Sequence, residues 1–170
     1  MSPMMFRRTR RDDGAAAVEF ALVAPLLIML VFGIIEFGIS FAQQLSLSNG
    51  ARQGARFGAV GYFGAGASAT LATCGDVVQQ VQSAASTIGL NVSNVSVQVQ
   101  IVHPDGSVVA PPVCDWTTGT SSPATACTGT NPGDAVRVNA KYQGHLTIPL
   151  VFYNPSFTLT GNGVYRCEYH

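Results

Sequence analysis

Charge is what this chain has least of. Of its 170 residues only 11% are Asp, Glu, Lys or Arg, against roughly 25% in an average soluble domain. Nine Lys and Arg balance nine Asp and Glu. With no cationic surplus to neutralise phosphates, a nucleic-acid binder of the usual kind is excluded. The low charge also excludes a highly charged disordered chain. Catalytic spacings are missing too: there is no GxSxG, HExxH or P-loop, and His103, His145 and His170 stand apart from any nucleophile motif. No CxxC pair and no histidine cluster occurs, so no zinc site is expected. The expectation is a protein without enzymatic activity, metal or cofactor. What is present is apolar: hydrophobic residues make up 47%, and eighteen Gly and nine Pro signal many turns. The length suits one ordinary domain with its own core.

The few charges are unevenly placed. Arg7, Arg8, Arg10 and Arg11 crowd the amino terminus, and no acid precedes Asp12. An apolar run follows over residues 15–42, interrupted only by Glu19 and Glu36, with sixteen uncharged residues between them. A hydrocarbon core of about 30 Å needs around 20 helical residues, so this run is long enough to span a bilayer. Core helices of soluble proteins are usually shorter or amphipathic. The positive-inside rule keeps the arginine end in the cytoplasm and translocates everything after Ala42.

Two kinds of targeting segment compete for this pattern. Ser40-Phe41-Ala42 offers a small-x-small site whose cleavage would release a soluble binding module starting at Gln43. Against it, the run exceeds the usual apolar length, Glu36 lies close to the cut, and Glu19 stands at the start of the run. The second kind accounts for Glu19. Cutting after Gly14 makes Ala15 the first mature residue and Glu19 the fifth, followed by the aromatic Phe20.

That order resembles the prepilin leader of tight-adherence (Flp-type) pilus systems. Val18-Glu19-Phe20-Ala21-Leu22-Val23-Ala24-Pro25, Gly33-Ile34-Ile35-Glu36-Phe37-Gly38 and Ala51-Arg52-Gln53-Gly54-Ala55-Arg56 together resemble the TadE-like pseudopilin family over about residues 7–60. Phe20 departs from the tyrosine usual in Flp major pilins but keeps the aromatic face. The resemblance implies cleavage between Gly14 and Ala15 by a membrane-embedded prepilin peptidase, with this chain as its substrate. Further implied partners are other pilins and pseudopilins, the inner-membrane platform of the pilus, and the lipid bilayer itself. Glu19, at the edge of the hydrocarbon where charge is normally paired or functional, would then meet a newly freed α-amino group and set subunit register together with Phe20. Pro25 removes one helical hydrogen bond and predicts a kink or a melted turn. Glu36 falls near the far interface.

Past the membrane, Gly50, Gly54 and Gly58 recur every fourth residue, with Arg52 and Arg56 between them. That spacing lets a helix or a sheet approach closely. The helix is expected to run to about Phe57, followed by a loop over 58–70. Asp76 is expected to cap a short helix over 77–87, ended by Gly89. Val95, Val97, Val99 and Ile101 alternate with polar residues as a half-buried strand, and Pro104-Asp105-Gly106 turns into a return strand over 107–110. A Thr/Ser/Gly/Pro-rich loop covers 111–133. Strands follow at 136–142, 146–153 and 157–169, about five in all.

Cys74, Cys114, Cys127 and Cys167 all follow the apolar run, on the side where thiols oxidise. Four cysteines permit three pairings; Cys114–Cys127 and Cys74–Cys167 are the favoured pairs, and free buried thiols are the alternative. The Asn91 and Asn94 sequons read as surface positions. The fold class is α+β: a leader over 1–14, a transmembrane helix over 15–42, and a small antiparallel-sheet domain over 43–170 outside the cytoplasm. The function that follows is a minor pseudopilin, with a released binding module or an exported enzyme as alternatives.

Overall fold

The computed structural model describes residues 12–63, 70–86, 90–110, 112–115, 126–145 and 156–168. The arginine cluster, Gly89, the stretch read as a strand over 146–153, and His170 lie outside them. One helix dominates. α1 (Asp12–Val60) has 49 residues, about 74 Å at 1.5 Å per residue. It ends where Gly61 adopts φ +74° and donates to the Phe57 carbonyl at 3.2 Å, a left-handed cap that glycine makes without steric cost. The helix thus outlasts its expected end by three residues. The loop expected next contains a small hairpin, β1 (Tyr62–Phe63) paired with β2 (Thr70–Leu71).

α2 (Cys74–Ala85) follows. Its cap is Thr73, not Asp76. Thr73 Oγ1 accepts from the Asp76 N–H at 3.4 Å, and the Asp76 carboxylate accepts from the Thr73 N–H at 2.8 Å. This capping box satisfies two otherwise orphaned donors and shifts the helix start three residues earlier than expected. Cys74, Val77, Val78, Val81 and Ala85 are its buried face, the spacing of an amphipathic helix.

A single 3-10 turn, Val92–Asn94, leads into β3 (Val95–Val102). β4 (Cys114–Asp115), β5 (Ala135–His145) and β6 (Ser156–Arg166) complete an antiparallel sheet in the order β4-β3-β5-β6. Val97 faces Ala140, Val99 faces Val138 and Ile101 faces Val136. These inward side chains are buried while their neighbours are half-buried or exposed, which is the period-2 pattern of a sheet covered on one face. Both helices cover that face, α1 over β5 and β6 with α2 beside it.

Two expectations are corrected here. The turn at Pro104-Asp105-Gly106 forms, with Gly106 at φ +86°, but 107–110 is no strand: it makes one isolated bridge, Val102 to Val108. The long loop instead carries β4, which pairs Cys114 with Val99.

The disulfides correct a third. Cys74 is bonded to Cys114 and Cys127 to Cys167, with Cα–Cα distances of 6.1 and 5.8 Å and a sequence separation of 40 in each pair. Pairing Cys114 with Cys127 fails because β4 carries Cys114 to the sheet edge beside the start of α2. Cys127 lies where β6 ends: the Cys167 N–H donates to the Asp134 carbonyl and the Glu168 N–H to the Ala59 carbonyl.

Candidate functional site

α1 divides into two parts of opposite character. From Gly14 to Phe41 almost every side chain is exposed, including Phe20 at 70%, Leu22 at 76% and Phe37 at 74%. A bare apolar surface of that extent marks a membrane or protein interface, since water does not tolerate it. The stretch is long and apolar enough to cross a membrane. Glu19 and Glu36 are 17 residues apart, about 26 Å along the axis, so each carboxylate falls near one boundary of a hydrocarbon layer about 30 Å thick. Glu19 is exposed and has no ion-pair partner among the described residues. Phe37 and Phe41 stack one turn apart at 6.5 Å. The helix runs unbroken through the exposed Pro25, so no turn is melted there.

The Gly14–Ala15 peptide bond lies in the first turn of α1. A side chain at Gly14 would meet no atom within 4 Å. Any demand for glycine at this position therefore comes from outside the folded chain.

From Gln43 on, the helix is the spine of the folded domain. Leu47, Ala51, Ala55 and Ala59 are fully buried on the sheet side, and Gly50, Gly54 and Gly58 face α2. A Cβ at Gly50 would lie 2.9 Å from the Val81 carbonyl oxygen, and one at Gly54 would lie within contact of the Val81 side chain. Gly161 and Gly163 of β6 likewise admit the backbone of α1 at Leu47 and Ala51. The glycine repeat singled out in the sequence thus packs against α2. Arg52 and Arg56 do not pack; they are exposed. With Gln53 they border a groove of about 420 Å³ along β6, from Asn162 to Tyr165. Only the one-turn spacing of the arginines hinted at this groove, because β6 lies more than a hundred residues away.

At the far end of the sheet His103 Nδ1 lies 2.7 Å from Asp134 Oδ1, the one ion pair among the described residues. Asp134 is 1% exposed, and its other oxygen accepts from the Asn131 N–H at 2.8 Å. This hydrogen bond to Asp134 raises the His103 pKa above its ordinary value, assisted by the charges of Asp134 and Asp105 and opposed by desolvation. Asp105 is lowered by its bonds from Ser107. No metal-ligating cluster adjoins the pair among the described residues. His145 ends β5, exposed and apart from it. Asn91 caps the 3-10 turn by accepting from the Ser93 N–H.

Residues 14–56 match the family model described as TadE-like protein. The match begins at the glycine of the leader pattern and ends at the second arginine of the exposed pair, so it spans both parts of α1. The match lies wholly within α1 and leaves α2 and the sheet outside it. No curated protein and no solved structure is significantly similar to the chain.

Proposed function

We propose that the chain is a minor pseudopilin that acts in the assembly or initiation of a tight-adherence pilus. In this reading the arginine end stays in the cytoplasm, α1 crosses the inner membrane over residues 15–42, and the α+β domain over 43–170 lies outside. A prepilin peptidase removes the leader between Gly14 and Ala15, and the mature chain joins other pilins and the inner-membrane platform. The observation that carries the reading is the extent of the TadE-like match, which covers the leader glycine, the bare apolar stretch and the buried spine as one continuous helix. Glu19 supports it. A carboxylate at the membrane edge gains little for insertion, but it would form a charge-assisted pair with the α-amino group that cleavage exposes.

The deciding experiment is the amino-terminal residue of the protein recovered from its host, read by intact mass. Ala15 is the expected start, and Gly14→Leu should block processing while leaving the outer domain folded, since position 14 touches nothing else. A start at Gln43 would make the chain a released binding module. Retention of Met1 beside an active peptidase would also overturn the proposal.

A further inference from the structure

β6 forms one rim of the four-stranded sheet, and no strand covers its outer edge among the described residues. Its eleven residues pair with β5 without a bulge. The strand contains no proline and no lysine, and Arg166 at its end is its one charge. Edge strands are usually blunted by such residues or by bulges, because an open edge is a template for another strand.

In a strand, the N–H and C=O of one residue point to the same edge and alternate residues point to opposite edges. The Thr160 carbonyl accepts from Gln44 Nε2 of α1 at 2.7 Å, which places it on the open side. Asn162 and Val164 share its parity, so their amides also face outward, into the groove bordered by Arg52, Gln53 and Arg56. Neither arginine has a carboxylate at ion-pair distance among the described residues. Val164 is 56% exposed.

We infer that this edge is a docking site for an extended segment of a different protein, added to β6 as a further strand and carrying acidic side chains at alternate positions. The spacing is matched on the molecule itself. Four residues of α1, from Leu47 to Ala51, run beside two residues of β6, from Gly161 to Gly163. Arg52 and Arg56 are therefore about 6 Å apart along the helix axis, and side chains on one face of a strand repeat every 6.6–6.8 Å or so. Two carboxylates at positions i and i+2 of an added strand would each meet one guanidinium, while main-chain bonds to Asn162 and Val164 supply register.

A second copy of this chain does not fit. β6 runs in the same direction as α1, away from its apolar half, since Glu168 reaches Ala59. Antiparallel pairing of two β6 edges would point the two apolar helices in opposite directions, which two copies anchored in one membrane cannot do. It would also bring four unneutralised guanidiniums together. That exclusion rests on the membrane reading of α1; the open edge and the arginine spacing do not.

The test uses the full chain in phosphatidylcholine nanodiscs, whose zwitterionic surface attracts neither charge. The probe is a capped, fluorescent peptide, Thr-Val-Glu-Val-Glu-Val-Thr, read by anisotropy and by residue-resolved amide exchange. Saturable binding is expected, with exchange slowed at Asn162 and Val164 but unchanged at Gly161 and Gly163. Replacing both glutamates by lysine, or methylating the peptide's main-chain nitrogens, should weaken binding at least tenfold. The double variant Arg52→Gln/Arg56→Gln should do the same, and both positions are exposed and clear of the core. Val164→Pro should also weaken it, by deleting one outward donor at an edge position that tolerates proline. The inference is overturned by Asn162 and Val164 amides already as protected as their neighbours in the free protein. It is also overturned by equal binding of the methylated peptide, by indifference to the arginine pair, or by no saturable binding.

Discussion

Gly33 and Gly38 stand on the same helix as Gly50 and Gly54, yet their surroundings are opposite. A methyl group at either of the first two would meet no atom within 4 Å, whereas at Gly50 it would press on the Val81 carbonyl and at Gly54 on the Val81 side chain. Each glycine inside a helix costs about 1 kcal/mol relative to alanine. At Gly50 and Gly54 that cost is offset by the close approach of α2; at Gly33 and Gly38 nothing among the described residues offsets it. One continuous helix thus has two environments: its outer part, from Gln43 on, is folded against partners in its own chain, while its apolar part presents a surface that no described residue covers. Exposed side chains from Gly14 to Phe41 and buried ones from Leu47 to Ala59 draw the same boundary.

The largest effect that sharpens this contrast is expected from the disulfides, which clamp only the outer part. Cys127→Ser opens a loop of about 40 residues, worth on the order of 4 kcal/mol in the chain-entropy model. Thermal unfolding of the full chain in detergent should show that loss, with α1 remaining in the membrane fraction. Non-reducing peptide mapping should recover Cys74 with Cys114 and Cys127 with Cys167. A linked Cys114–Cys127 species would break the topology of the outer domain.

Next comes packing. Gly163→Ala places a methyl group against the Ala51 backbone, where no side chain can swing aside, and should cost about 3 kcal/mol, the upper end of ordinary overpacking. Gly33→Ala should leave the outer domain's melting temperature unchanged and favour the helix slightly. Equal losses at the two positions would erase the distinction between the two parts.

How much of the fold is legible in the sequence follows from the kind of signal each feature leaves. The membrane-length helix is readable because the apolar run over 15–42, interrupted only by Glu19 and Glu36, is long enough to cross a hydrocarbon layer. The strands around Val97 and Val138 are readable from alternation. Thr73 is hard to tell from Asp76 because both residue types cap helices, and only the reciprocal bonds decide which is the cap and which the third residue. β4 has two residues, too few for any period, and without it the cysteine pairing defaults to the nearest partners. The groove along β6 joins residues a hundred positions apart, and the His103–Asp134 pair is likewise tertiary. Neither has a local signature.

A third effect belongs to the apolar part. Glu19→Gln keeps size and hydrogen-bonding capacity and removes one charge, and a hydrogen bond to a charged group is worth about 1.5–3 kcal/mol. Under the pseudopilin reading, membrane insertion, leader cleavage and the outer domain's stability should be unchanged, while recovery of partner pilins and pilus counts fall about tenfold or more. Normal piliation would leave Glu19 as an interfacial residue and restrict the function of the apolar part to anchoring.

The smallest effect is a pH dependence confined to the outer part. His103 is raised above its ordinary value of 6.5 in the folded chain, chiefly by its hydrogen bond to Asp134. Between the two values the folded state holds a proton that the unfolded state has released, so stability falls as pH rises there. The contribution is complete below about pH 6.5 and is lost as pH climbs through the raised folded-state pKa. His103 is about a third exposed, and solvent screening keeps such pairs weak. Melting temperature should therefore decline modestly as pH rises above 6.5, and His103→Asn, which retains a donor toward Asp134 but cannot titrate, should flatten that decline. If the decline persisted in the Asn variant, the pH sensitivity would have to be sought in groups other than the His103–Asp134 pair.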